Sequence, residues 1–152
     1  MLRVIRDVLY YPPGRTGTRL ESALQFLNHV QPRRSVSFII SDFIDQDYER
    51  AFRVTAKRHD LISIIVGDKR ETTWLAVGLV DWIDAESGQR IVVDTSDLRT
   101  RRALAEHRHA EKTALQDLLR TSRADAIEVF AGEAYEREFM RFFRLRERRL
   151  RG

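Results

Sequence analysis

The sequence contains no cysteine. Disulfides, thiolate catalysis and cysteine-ligated zinc are therefore excluded, and a reducing, cytoplasmic setting is the expectation. Proline is scarce, with 3 residues in 152, and Pro12 and Pro13 are adjacent. No apolar run approaches the roughly 20 residues that a bilayer-spanning helix needs, so no membrane segment is expected in this chain. Met1 to Leu9 breaks its apolar residues with Arg3, Arg6 and Asp7, too often for a secretory signal. Internal repeats and low-complexity linkers are also missing.

What is present suits one compact α/β domain: 152 residues, 43% hydrophobic, with a formal net charge of +4. The positive excess is concentrated at the end, from Arg141 to Arg151. A basic tail of this kind can neutralise phosphates and release their counterions. A solvated helix face explains the same composition without a ligand.

Periodicity assigns most of the chain. Val4, Ile5, Val8 and Leu9 make one side of a short first helix, which Pro12-Pro13-Gly14 stops. Leu20, Ala23, Leu24, Leu27 and Val30 form the apolar stripe of a second helix, and Pro32 ends it. Val36 to Ile40 is β-branched, aromatic and uncharged, so it reads as a strand covered on both faces. Asp45-Gln46-Asp47 offers N-cap chemistry for a helix through about Arg58, with Tyr48, Ala51, Phe52 and Thr55 inward. Leu61 to Val66 is a second buried strand, and the pair makes a right-handed parallel βαβ unit. Residues 77–94 carry a hairpin signature around Ala85 to Gln89. A long helix follows from Ser96-Asp97 to about Leu119, with Leu104, Ala114, Leu115 and Leu118 inward. Ala126 to Phe130 is a third core strand. Residues 134–151 form a basic C-terminal helix with Tyr135, Phe139, Phe142 and Phe143 on one stripe. The expected fold is a Rossmann-like parallel sheet with helices on both faces and a hairpin insertion. One feature is unusual: such folds begin with a strand, and this chain begins with helices.

Few residues carry chemistry. His107 and His109, two apart on a helix, diverge by roughly 200° and cannot share a metal. His59, between a helix and a strand, suits a capping role. Ser41 follows a buried strand but lacks the glycines of the G-x-S-x-G elbow and has no placed histidine. Gly14 to Thr18 has neither the Lys-Ser/Thr ending nor the preceding strand of a phosphate loop. Asp42 differs from all of these. It ends the most hydrophobic strand, and ligands of open parallel sheets bind beyond strand carboxyl ends. Its carboxylate suits Mg²⁺ ligation and suits capping of the strand-to-helix turn equally well. Thr18 is the second candidate, although Thr18-Arg19-Leu20-Glu21 is also a capping box. A nuclease built on Asp42, Asp45 and Asp47 is disfavoured, because two-metal chemistry needs carboxylates from several elements.

Gly17-Thr18 before an amphipathic helix, then Ile39-Ile40-Ser41-Asp42-Phe43 at a strand end, resembles the second half of a von Willebrand factor A-like (vWA) domain. Arg34 to Phe43, Val77 to Val80, Ile91 to Thr95 and the Phe142-Phe143 tail narrow the likeness. They resemble a bacterial family of uncharacterised proteins often encoded beside MoxR-type AAA ATPases. The resemblance covers the chain and implies a partial vWA-like domain over residues 1–152, with three core strands upstream of Met1. It implies that Thr18 and Asp42 are two ligands of a metal-ion-dependent adhesion site. The Asp-x-Ser-x-Ser element of that site has no counterpart here: Arg33 stands in the aspartate position before Ser35 and Ser37, and Asp94 to Leu98 lacks the final serine. Mg²⁺ is accordingly expected to bind weakly or not at all. The implied role is a non-enzymatic protein-interaction module, an adaptor to a MoxR-type ATPase, with nucleic-acid binding through the arginine-rich helix as the alternative. Without upstream strands, Val36 to Ile40 would be an exposed edge, open to self-association or to complementation by an N-terminal fragment.

Overall fold

The computed structural model describes residues 17–69, 75–83 and 88–151, together with Arg3, Ile5, Arg6 and Tyr10. The expected first helix lies mostly outside the described residues, as do the glycine-containing loop before Gly17 and the hairpin turn at 84–87. The described elements are α1 (Leu20–Val30), β1 (Val36–Ser41), α2 (Glu49–Arg58), β2 (Asp60–Gly67), β3 (Leu79–Ile83), β4 (Arg90–Asp94), α3 (Leu98–Ser122), β5 (Asp125–Phe130) and α4 (Glu136–Arg151).

β1, β2 and β5 form a parallel sheet in the order β1-β2-β5. The register runs from Val36 opposite Asp60 to Ser41 opposite Ile65, and from Ile62 opposite Asp125 to Gly67 opposite Phe130. β2 is central, which is why Leu61 to Ile64 are all buried. Because strand side chains alternate, Leu61, Ile65 and Ile39 face one side, where they meet α1, α2 and α3. Leu20, Leu24, Ala51, Phe52, Leu118 and Leu119 supply the helical half of this core. Ile62, Ile64 and Ile127 face the other side and are also buried. α4 lies there. Its Arg146 reaches across to Asp60 and Asp125, one at the start of β2 and one at the start of β5. Arg149 adds a contact to Asp125 at 3.2 Å. A parallel three-stranded sheet flanked by helices is thus the α/β arrangement the sequence leads one to expect.

The departures are local. β1 is not covered on both faces. Among the described residues it pairs with β2 alone, and Val36, Phe38 and Ile40 are 58%, 48% and 69% exposed on the face where α4 covers only the other strands. α1 begins at Leu20, so Thr18 is not its N-cap; Arg19 takes that position without a side-chain bond. The Leu20 amide is capped instead from a distance, by Asp45 Oδ2 at 2.7 Å. Asp45 is thereby diverted from α2, whose N-cap is Tyr48, also without a side-chain bond. Ala23 and Val30 on α1 and Ala114 on α3 are exposed, and Leu119 is buried in addition to Leu118. Tyr135 precedes α4 and is exposed.

The hairpin stands off the sheet. β3 and β4 pair antiparallel, Leu79 opposite Asp94 and Ile83 opposite Arg90, and nearly every residue on both strands is exposed. Its base is closed by the buried Thr95, whose hydroxyl donates to the Gly78 carbonyl at 2.7 Å and accepts from the Val77 amide at 3.1 Å. Gly78 has φ +91°, a conformation that side-chain-bearing residues rarely adopt. Asp97 then caps α3, accepting from the amides of Arg99 and Thr100 and from the Thr100 hydroxyl. The Arg99 hydrogen bond foremost, with that from the Thr100 hydroxyl, holds its carboxyl below the usual aspartate range.

Candidate functional site

The carboxyl ends of the three parallel strands meet the loop from Asp42 to Tyr48. This loop is ordered by its own side chains. Ser41 Oγ accepts from the Phe43 amide at 3.1 Å, and Asp42 Oδ1 accepts from the Ile44 amide at 3.1 Å. Between them Phe43 adopts φ +60°, a left-handed conformation costly for an aromatic residue. The turn sends the Phe43 ring inward and leaves Asp42 exposed. The ring is held by Tyr48 and Phe52, with centroids 6.0 Å and 6.3 Å away, and these two lie 6.4 Å from each other. Aromatic packing of this kind offsets the backbone strain. Burial, with help from Glu49 and Asp45, pushes the Tyr48 phenol up to about 12.

Asp42, Phe43 and Ile44 form one wall of a cleft of about 480 Å³. The end of β2 and Phe130 of β5 form its floor, and Arg108, Lys112 and Leu115 of α3 form the opposite wall. Its cations have acidic neighbours. Lys112 pairs with Glu128 at 2.9 Å, Arg108 with Glu111 at 3.4 Å and Lys69 with Glu133 at 2.5 Å, while Lys69 also lies 5.3 Å from the Phe130 ring centre. The result is a cleft of mixed charge over an apolar base, with a carboxylate at its mouth.

Thr18 and Asp42 both sit at this end of the molecule, because the Asp45–Leu20 hydrogen bond ties the start of α1 to the loop after β1. Thr18 is exposed and outside the helix. Magnesium demands a near-octahedral oxygen shell. Here one carboxylate already accepts from an amide, and Ser41 is occupied in the same turn. Among the described residues no three His, Asp or Glu side chains gather as a metal-binding group. Among the described residues, the oxygens of Thr18 and Asp42 would fill only part of such a shell. Asp45 and Asp47 do not join Asp42: Asp45 is committed to Leu20 and Gln46, and Asp47 has a left-handed backbone at φ +64°. Ser41 is held by its own loop. His107 and His109 are both exposed on α3. His59 is 1% exposed, with its backbone amide on the Thr55 carbonyl and its Nδ1 3.2 Å from Ser35 Oγ, a structural position at the end of α2.

Two structural features are not announced by local sequence patterns. The Asp45 cap spans 25 positions, so no local pattern announces it. The Asp60–Arg146–Asp125 bridge leaves a faint signal, an aspartate opening each of two buried strands.

The family described as "Protein of unknown function DUF58" matches residues 1–141. An uncharacterised protein of Mycobacterium tuberculosis and one of Mycobacterium bovis are each 38% identical over 89 residues, 58% of this chain and 28% of the relative. The matched segment therefore spans little more than a quarter of the length of those curated relatives. An uncharacterised protein of Mycobacterium avium is 28% identical over 149 residues, 97% of this chain and 87% of that protein. No solved structure matches significantly.

Proposed function

The chain belongs to the DUF58 family of proteins of unknown function, and from that premise we propose that it is a non-enzymatic protein-interaction module. A vWA-like relationship is part of this reading, with a MoxR-type AAA ATPase as the partner and the cytoplasm as the setting. The observation that carries it is the state of β1. A strand paired, among the described residues, on one side only, with Val36, Phe38 and Ile40 exposed on one face, is a template for an incoming chain. Asp42 follows directly, so a partner strand laid along β1 would bring its end to the cleft mouth. There the carboxylate would accept from the partner's donors without needing a metal. Bare apolar surface of this kind marks protein contacts.

The test is Ile40→Lys, which sets a charge on an exposed edge position and leaves the core untouched. Light scattering over a concentration series reads self-association, and titration with a purified MoxR-type ATPase or an N-terminal fragment reads partner binding. The parent should associate in at least one of these assays and the variant should lose that association. A parent that stays monomeric at high concentration and binds neither protein overturns the reading.

A further inference from the structure

α4 holds seven arginines and three glutamates, and they are not equivalent. Arg146 and Arg149 turn inward to Asp60 and Asp125. Arg137, Arg141, Arg144 and Arg148 are all exposed, and none has an acidic partner among the described residues. Their spacing of four, three and four places them in one row about 16 Å long on the outer side of the helix. At 100° per residue, Met140 falls on one flank of the row and Leu145 on the other. Both are open to solvent, at 55% and 45%. Shallow grooves of about 550 Å³ over the row and about 420 Å³ between α4 and β5 adjoin it, with Arg141 and Leu145 on the rim of both.

We propose that this outer face of α4 docks an acidic amphipathic helix of a protein partner, its carboxylates on the arginine row and its apolar side chains on Met140 and Leu145. Charge complementarity carries the choice of occupant. Guanidinium groups take carboxylates in paired, directional hydrogen bonds. A helix recurring at i, i+4, i+7 and i+11 presents acids at the spacing of the row. Other polyanions fit less well. Binding a phosphate backbone would use the arginines alone. A phosphate backbone also offers nothing apolar to Met140 and Leu145. A membrane-bound helix needs one continuous apolar face, and here the two apolar residues are separated by the arginines.

This proposal is independent of the reading of β1. The experiment uses the full chain and a fluorescently labelled 20-residue peptide carrying Glu at that spacing with Leu between, read by anisotropy. The controls are a scrambled peptide of equal composition, a duplex oligonucleotide and vesicles of anionic lipid. The patterned peptide should bind best, and Arg141→Glu with Arg144→Glu should weaken it at least about tenfold, with circular dichroism unchanged. Met140→Ser with Leu145→Ser should weaken it several-fold without changing its salt dependence. Ile40→Lys should leave it unaltered, which separates failure here from failure at β1. Equal binding of the scrambled peptide, tighter binding of the oligonucleotide or vesicles, or indifference to the arginine reversals overturns the proposal.

Discussion

Replacing Arg146 with methionine should cost about 2–3 kcal/mol of stability. Arg146 has 17% of its side chain exposed, and its guanidinium serves two carboxylates, Asp60 and Asp125, at 32% and 27% exposure. It also stacks 6.0 Å from the Phe142 ring centre, one turn back on the same helix. A hydrogen bond to a charged group contributes roughly 1.5–3 kcal/mol, and two full bonds would approach the 3–5 kcal/mol seen when a buried pair is broken. Partial exposure lets water stand in for the lost cation, which reduces the sum. Methionine keeps the aliphatic stem over the sheet, so packing loss is small. Two aspartates at the adjacent starts of β2 and β5 would then face each other, with only Arg149 remaining near Asp125. Urea denaturation should show the midpoint falling with the slope unchanged, and the melting temperature should drop by roughly 4–12 °C. Adding Asp60→Asn and Asp125→Asn to the methionine variant removes the stranded charges and should restore much of the loss. A single variant within about 0.5 kcal/mol of the parent, or a triple variant less stable than the single, would refute the reasoning.

Two further outcomes concern buried polar groups. Ser63 is fully buried, and its hydroxyl has no partner among the described residues; Ser63→Ala should therefore leave stability unchanged or raise it by up to about 1 kcal/mol in chemical denaturation, and a loss above that value would mean the hydroxyl is satisfied. The Tyr48 phenol, raised to about 12 in the folded protein from 10.0, keeps its proton where the unfolded chain has released it. Its contribution is complete below about pH 10 and is lost as pH climbs towards 12, on the order of 2 kcal/mol. Tyr48→Phe should flatten the alkaline stability profile over that interval, and an equal decline in parent and variant would count against the assignment.

The sheet was legible where burial and chain order agree. Leu61 to Val66 and Ala126 to Phe130 read as strands because β-branched side chains are needed on both faces of a covered sheet. Val36 to Ile40 has the same composition, yet one of its faces is bare, since composition reports what a strand can bury and not whether a neighbour is there. The long helix was placed within a few residues at each end, with Asp97 at its cap. Asp42 was singled out from its position alone, and the structure sets it beside the cleft. The capping roles were not legible: Thr18 and Asp45 both sit in local capping patterns, and tertiary geometry reassigned both, setting Thr18 before the helix and sending Asp45 to α1. Caps read from sequence assume that a side chain serves its own helix. A carboxylate on an adjacent loop can reach the same amide when packing brings it within 2.7 Å.

The long return between β2 and β5 divides the pairings of the sheet into a short-range and a long-range one. β1, α2 and β2 succeed one another within residues 36–67 and can pair while the rest of the chain is still unstructured. β5 joins only after residues 68–124 have closed a loop, and α4 can be latched only after that, because one of the two aspartates it needs opens β5. Loop closure costs grow only with the logarithm of length. The excursion that carries the hairpin can therefore lengthen or shorten at little equilibrium cost. The rate of completing the sheet is more sensitive, since non-local pairing slows folding. β2 thus takes part in both the short-range pairing and the long-range one.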